Sequence, residues 1–154
     1  MATHTADLSW ALKEGDDFAR GRFGRGHTLR FDGGVTVPAS AAPSVVGKWA
    51  VPEAVDPEEM LVASLSSCHM LTFLALCAKA RVEVTRYEDH AESILDTVEK
   101  VTWVAEIHLK PTIRVARGTS KAKVEELFEK AHKYCFVANS IKSKVVMAPT
   151  VVEA

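Results

Sequence analysis

The sequence predicts an α+β protein. Its predicted elements run strand, strand, helix, strand, strand, helix, strand, which lacks the regular strand–helix alternation of a doubly wound sheet. A hairpin turn with two glycines is predicted near the N-terminus. A long apolar helix is predicted after a connection rich in Pro, Ala, Ser and Gly. We predict one domain over residues 1–154, with a β-hairpin region at 1–38, a connection at 39–55 and a helix-strand-strand-helix-strand core at 56–154.

The N-terminal region has the signals of short strands. Asp7 to Leu12 alternates loosely between apolar and polar residues, and His27 to Phe31 is typical of a strand. Asp32-Gly33-Gly34 then predicts a hairpin turn into a strand at Val35–Val37. Pro38 to Pro57 is rich in Pro, Ala, Ser and Gly, and is predicted to be a long surface connection with some apolar anchors.

A helix is predicted to begin at Asp56. Asp56 can cap its N-terminus, Pro57 fits the first helical position, and Glu59 occupies the capping-box position. Apolar residues cover nearly every face, so we expect the helix to be enclosed on most sides. The 19 uncharged residues from Met60 to Ala78 approach the length of a membrane span, but their serine, threonine and histidine side chains favour a buried central helix.

The remaining chain predicts further strands and one more helix. Val82–Ile94 and Val101–Leu109 are predicted β segments, and a helix with one buried stripe starts near Thr119 or Ser120. A short helical turn at Phe136–Ile141 and a final strand at Lys144–Val152 complete the prediction.

Composition excludes several classes of protein. The 154 residues are 47% hydrophobic with a net charge of −1, which is typical of a folded chain and gives no electrostatic footprint for nucleic acid. The first 17 residues contain no apolar run after a basic start, so we expect a cytoplasmic protein. Three cysteines are too few, and odd in number, for a secreted disulfide scaffold.

The cysteines leave three interpretations open. Cys77 lies nine residues after Cys68, so on one helix it points about 180° away and cannot form a disulfide with it. If Cys68 has a disulfide partner, that partner is Cys135, near the end of the second predicted helix. The pair could be redox-active, or both thiols could be inert. A zinc site with His69 and His132 is a third possibility, but Cys68 and His69 are adjacent and diverge by about 100° on a helix.

Two segments resemble the OsmC/Ohr family of organic-hydroperoxide resistance proteins. The first is Asp56–Leu61 leading into Ser66–His69, and the second is Tyr134–Ile141; the element order also matches. The resemblance implies an OsmC-like fold, with antiparallel sheets around a long buried central helix in an intertwined homodimer. It also implies a thiol peroxidase that reduces organic hydroperoxides with paired cysteines.

The resemblance also implies roles for individual residues. Cys68 matches the peroxidatic cysteine, Cys135 the resolving cysteine, and Glu58 a glutamate that holds an activating arginine. We assign that arginine to Arg25. The alternative cations are Arg22 and Lys48, and Phe136 stands where proline is common in the family.

The implied chemistry places demands on the site. An apolar helix raises the pKa of a cysteine thiol, so Cys68 needs a nearby cation to ionise. Glu58 and Cys68 are about 15 Å apart on an unbroken helix, so either the helix is interrupted or one site takes them from different subunits; we favour the second. The resemblance implies an external dithiol reductant of lipoyl type, and we expect no cofactor, metal, nucleic acid or membrane partner. The alternative function is a non-catalytic OsmC-like protein that senses redox state or binds a metal or small ligand.

Overall fold

A computed structural model describes residues 1–154 and confirms the α+β class with a central helix. The chain forms two compact units, Met1–Met60 and Leu61–Ala154, and each is described by itself.

The N-terminal unit is built on a three-stranded antiparallel sheet. Its strands, in the order β1-β2-β3, are Ala6–Ser9 (β1), His27–Phe31 (β2) and Thr36–Ala39 (β3). Gly34 has a φ of 85° in the turn between β2 and β3, a backbone conformation that favours glycine. The predicted connection contains a short helix, Pro43–Val46 (α1), and a 3₁₀ turn at Gly47–Trp49.

The central helix, Pro57–Lys79 (α2), begins as its sequence predicts. The Glu59 N–H donates to the Asp56 carboxylate at 2.7 Å, and the Asp56 N–H donates to the Glu59 carboxylate at 2.9 Å. This reciprocal pair is a complete capping box. The helix runs without a break for 23 residues, so the alternative of an interrupted helix is wrong.

Within the single chain, the middle of α2 is buried or partly buried on every face except one stripe. Its buried residues recur every fourth position, at Leu65, His69, Phe73 and Cys77. Leu71, on another face, is 60% exposed. The prediction of a helix enclosed on most sides is therefore confirmed between Leu61 and Leu76, where both cores also contact residues that flank the buried positions. By length and hydropathy α2 could also cross a membrane, a property that core helices share.

Two further three-stranded sheets form the C-terminal unit. Their strands are Val84–Asp89 (β4), Glu92–Val98 (β5), Val101–Leu109 (β6), Pro111–Val115 (β7), Lys144–Met147 (β8) and Thr150–Glu153 (β9). One sheet has the order β4-β7-β9 and the other β5-β6-β8, and each combines an antiparallel pair with a parallel pair. The second long helix, Lys121–Tyr134 (α3), starts where the sequence predicts and is capped by the Ser120 side chain.

Three strand predictions need correction. The segments Val82–Ile94 and Lys144–Val152 are each two strands, and β7 was not predicted at all. The chain leaves one sheet and enters the other at His90-Ala91, at Lys110 and at Ala148-Pro149. Apolar–polar alternation reports that a segment is extended, but it does not report which sheet pairs with it.

Each half of α2 packs on its own apolar core. The C-terminal half contacts α3, β7 and β9, with Phe73, Ile113, Val124, Phe128 and Ala131 fully buried. The N-terminal half contacts β6 and the end of α3, where Leu65, Ile107, Leu109 and Cys135 are buried. The second core therefore places Cys135 against the helix that carries Cys68.

Candidate active site

The structure brings the thiols of Cys68 and Cys135 into contact. Cys68 lies in the middle of α2 and is partly exposed, whereas Cys135 follows the last residue of α3 and is fully buried. Both thiols are free, Cys68 packs against the core that contains Cys135, and each thiol shifts the pKa of the other. Cys77, the third cysteine, is buried among the apolar side chains of the other core, at the C-terminal half of α2.

The segment after Cys135 turns its backbone N–H groups towards the two sulfur atoms. Cys135 leaves the helix with extended backbone angles, and the Ala138 N–H donates to its Sγ at 3.4 Å. The backbone N–H groups of Val137 and Phe136 act on Cys68, since both lower the pKa of its thiol. Several backbone donors converging on one point favour a negative charge there.

Side chains hold this segment in shape. The Asn139 amide donates to the carbonyl oxygens of Lys133 and Cys135, and the Ser140 hydroxyl donates to the Phe136 carbonyl at 2.7 Å. The predicted helical turn is present as a 3₁₀ turn at Ala138–Ser140. Asn139 and Ser140 were the sequence signal for this arrangement, because short polar side chains of this kind bond to nearby backbone.

The local environment makes Cys68 the more acidic of the two thiols. Burial raises the pKa of Cys68, but the nearby Val137 N–H, Cys135 thiol, Phe136 N–H and Thr72 hydroxyl outweigh it, and the net pKa is lowered. Burial raises the pKa of Cys135, and donating its proton to Cys68 raises it further. The thiolate is the nucleophilic form of cysteine, so this asymmetry favours Cys68 as nucleophile and Cys135 as the protonated partner.

Phe136 offers a direct test of the backbone donors. Proline at this position has no N–H to donate, and the backbone of Cys135, with ψ of 117°, already suits a residue that precedes proline. We expect Phe136→Pro to raise the pKa of Cys68 and to slow its alkylation by iodoacetamide at pH 7 roughly fivefold. The alkylation rate of Cys68 as a function of pH, followed by mass spectrometry, measures both.

Phe136→Ala is the matched control, because it removes the same exposed ring but keeps the N–H. Its pH profile for Cys68 alkylation should coincide with that of the unmodified protein. Equal profiles for the proline and alanine variants would contradict a role for the Phe136 N–H.

Arg25 and Glu58 both lie in the N-terminal unit, but they form no ion pair with each other there. The Arg25 guanidinium stacks on the Phe23 ring at 3.4 Å and donates to the Phe23 carbonyl oxygen. Lys48 lies over the Trp49 ring at 5.0 Å. The assigned roles of Arg25 and Glu58, and the alternatives Arg22 and Lys48, stay predictions.

His69 follows Cys68 on α2, and its ring packs on Phe128 of the other core. It is fully buried, its ring is 4.4 Å from Phe128 and 6.4 Å from His132, and neither of its nitrogens makes a hydrogen bond of good geometry. Burial and the neighbouring His132 lower its pKa to about 4, against a small opposing effect of the Phe128 backbone. His69 is therefore a neutral side chain at pH 7.

The zinc site considered from the sequence, with the paired cysteines, His69 and His132 as ligands, is not formed. Histidine, cysteine and carboxylate side chains form no group of three or more that could hold a metal ion. The reason is the one the helix geometry predicts, since adjacent residues such as Cys68 and His69 point in different directions.

Comparison with known proteins places the chain among related folds. A family model described as OsmC-like protein matches residues 50–149. The structure of an OsmC-like protein of unknown function from Vibrio cholerae is 41% identical, covers 97% of this chain and 99% of its own, and superposes with a TM-score of 0.89. An organic hydroperoxide resistance protein from Elizabethkingia anophelis shares the fold at 18% identity and a TM-score of 0.70, over 100% of this chain and 98% of its own.

A curated relative also matches in sequence. The uncharacterized protein YmaD of Bacillus subtilis is 23% identical over 96 residues, which are 60% of this chain and 64% of YmaD. The match thus spans less than two thirds of that protein.

Proposed function

The chain belongs to the OsmC-like protein family, and on that premise we propose that it is a cysteine-based peroxidase that reduces organic hydroperoxides to alcohols. The observation that carries the proposal is the pair of free thiols packed in one core, of which the partly exposed Cys68 has the lowered pKa. Solved structures that share the fold include proteins named for organic hydroperoxide resistance.

The first step uses Cys68 as nucleophile. Its thiolate attacks the distal oxygen of the hydroperoxide, the O–O bond breaks, and the alkoxide that leaves takes up a proton to become the alcohol. Cys68 is then a sulfenic acid. The converging N–H groups of Val137 and Phe136 stabilise the anionic sulfur before the attack.

The second step uses Cys135. Its thiol attacks the sulfenic sulfur of Cys68, a disulfide forms, and the oxygen leaves as water. Because the two side chains are already in contact, this step needs little movement of the backbone. An external dithiol, of lipoyl type in our proposal, then reduces the disulfide by thiol exchange.

A permanent cation completes the proposed site. We assign it to Arg25, with Glu58 holding the guanidinium through a charge-assisted pair. Because α2 is unbroken, ten residues separate Glu58 from Cys68 by about 15 Å along the axis. The Glu58 and the Cys68 that serve one site therefore come from different subunits of a homodimer in this proposal.

Exposed apolar surface supports the homodimer. Leu71 on α2 is 60% exposed, and Phe136 beside Cys135 is 83% exposed. Apolar surface of this kind is typical of an interaction site. We expect sedimentation equilibrium at micromolar concentration to give twice the 16.8 kDa mass of the chain. A monomer with full peroxidase activity would contradict the shared site.

The experiment that tests the function is a turnover assay. With dihydrolipoamide as reductant, we expect the protein to consume cumene hydroperoxide catalytically and to favour it over hydrogen peroxide. Slow, stoichiometric oxidation without turnover under any dithiol would instead support the non-catalytic redox-sensing alternative.

A further inference from the structure

A basic groove lies between the C-terminal end of α2 and one face of α3, within the C-terminal unit. It holds a cavity of about 500 Å³, and no aspartate or glutamate lines it. Three lysines, one tyrosine and two leucines are among the lining residues: Lys79, Lys123, Lys130, Tyr134, Leu76 and Leu127. The groove thus combines positive charge with apolar surface, and it contains neither of the paired cysteines.

The spacing of residues along α3 forms one side of this groove. Lys123, Leu127, Lys130 and Tyr134 are separated by four, three and four residues, so they lie on one stripe of the helix. Leu127 is 4% exposed, whereas both lysines and Tyr134 are exposed. The stripe is therefore apolar at its base and basic at its rim.

The charges of the lysines are only partly compensated. Lys123 pairs with Glu126 at 2.9 Å, whereas Lys79 and Lys130 form no ion pair. The pKa of Glu126 is lowered chiefly by Lys123 and also by Lys130, so Glu126 acts on both lysines of α3. Three lysines and one glutamate leave two positive charges without a counter-charge.

The end of α2 does not need the side chain of Lys79 as a cap. The carbonyl oxygens of Leu76, Cys77 and Ala78 already accept hydrogen bonds from backbone N–H groups that follow the helix. A lysine in the last turn also favours the helix dipole, but this effect does not require its ammonium group to be held in one position. The ammonium group of Lys79 is therefore available to a ligand.

We propose that this cavity binds an aromatic phosphate monoester. A phosphate monoester carries a charge of about −1.5 to −2 at pH 7, which matches the two uncompensated charges. Lysine binds phosphate as a point charge on a flexible stem, so Lys79 and Lys130 can reach the phosphate from opposite sides. The aromatic body of the ligand packs on the Tyr134 ring and the two leucines. The proposal does not depend on peroxidase activity.

The test is isothermal titration calorimetry of the full chain with 1-naphthyl phosphate. A phosphate-free buffer with about 0.15 M NaCl screens the charges outside the cavity. We expect saturable binding of one naphthyl phosphate per chain. The neutral 1-naphthol and inorganic phosphate should each bind about tenfold more weakly, because each lacks one part of the ligand. Equal affinity for naphthol and naphthyl phosphate would contradict binding by the lysines.

Matched variants separate the cavity from the general charge of the surface. Lys79→Gln and Lys130→Gln should each weaken the affinity about fivefold, because each removes one uncompensated charge. Lys121→Gln is the control, since Lys121 is an exposed lysine of α3 that does not line the cavity. It should bind naphthyl phosphate as the unmodified protein does.

Two results would overturn the proposal. One is the absence of saturable binding at millimolar naphthyl phosphate, as when a second copy of the chain covers the groove. The other is equal affinity of Lys79→Gln, Lys130→Gln and the unmodified protein, because binding would then take place elsewhere on the chain.

Discussion

Replacing Cys68 with serine is expected to lower the turnover of cumene hydroperoxide by about 10³-fold or more. The alcohol of serine stays protonated at neutral pH, so the nucleophile is lost and no sulfenic acid can form. Cys135→Ser has a different expected outcome. Cys68 should still reduce one equivalent of peroxide, but the sulfenic acid then lacks its resolving thiol and steady-state turnover stops.

The measurement is peroxide consumption with a dithiol, together with the mass of the protein after one equivalent of peroxide. Cys77→Ala is the matched control, since Cys77 is a buried thiol in the other core and its loss should leave turnover unchanged. Equal turnover by Cys68→Ser and the unmodified protein would reject the peroxidase assignment.

The buried His69 is expected to make the fold sensitive to acid. Its pKa is about 4 in the folded protein and about 6.5 in an unfolded chain. Between these values the unfolded chain binds a proton that the folded protein does not. The folded protein therefore keeps its full stability above about pH 6.5. As the pH falls to 4, its free energy of unfolding decreases by about 3 kcal/mol.

His69→Leu should remove this dependence of the free energy of unfolding on pH. Urea unfolding at several pH values between 4 and 7 measures it, and the variant should lose about 3 kcal/mol less stability over that range than the unmodified protein. The control is His90→Gln, an exposed histidine, which should follow the unmodified protein. Parallel pH profiles for His69→Leu and the unmodified protein would contradict a neutral, buried His69.

Local signals in the sequence predicted the parts of the fold that are locally determined. The capping box of Asp56 and Glu59 fixed the start of α2, and Ser120 caps α3 where a helix start was expected. The strand at Val101–Leu109 has the predicted bounds. In each case the stabilising contact lies within a few residues, or the alternation extends over a long segment.

Features that depend on distant contacts were not predictable in this way. The passage of the chain between sheets at His90-Ala91 and the pairing of β7 with β4 and β9 are set by strands far away in the sequence. The exposed stripe of α2, which includes Leu71, follows from how much of the helix a single chain can cover.

The candidate site shows the same division. Residue type and family resemblance pointed to Cys68 and Cys135, and the structure brings these two together. The effect of the Phe136 and Val137 backbone N–H groups could not be predicted from residue type, because every residue except proline has a backbone N–H. Phe136 stood out in the sequence as a departure from the family pattern, and the structure gives that departure a physical consequence.

The most direct test of the cysteine-pair mechanism is to identify the disulfide formed in one turnover. The reduced protein is treated with one equivalent of cumene hydroperoxide, its remaining thiols are blocked, and the digested peptides are analysed by mass spectrometry. We predict a Cys68–Cys135 bridge in nearly every chain, with Cys77 alkylated. Stable oxidation of Cys68 alone, or a bridge that includes Cys77, would contradict the account.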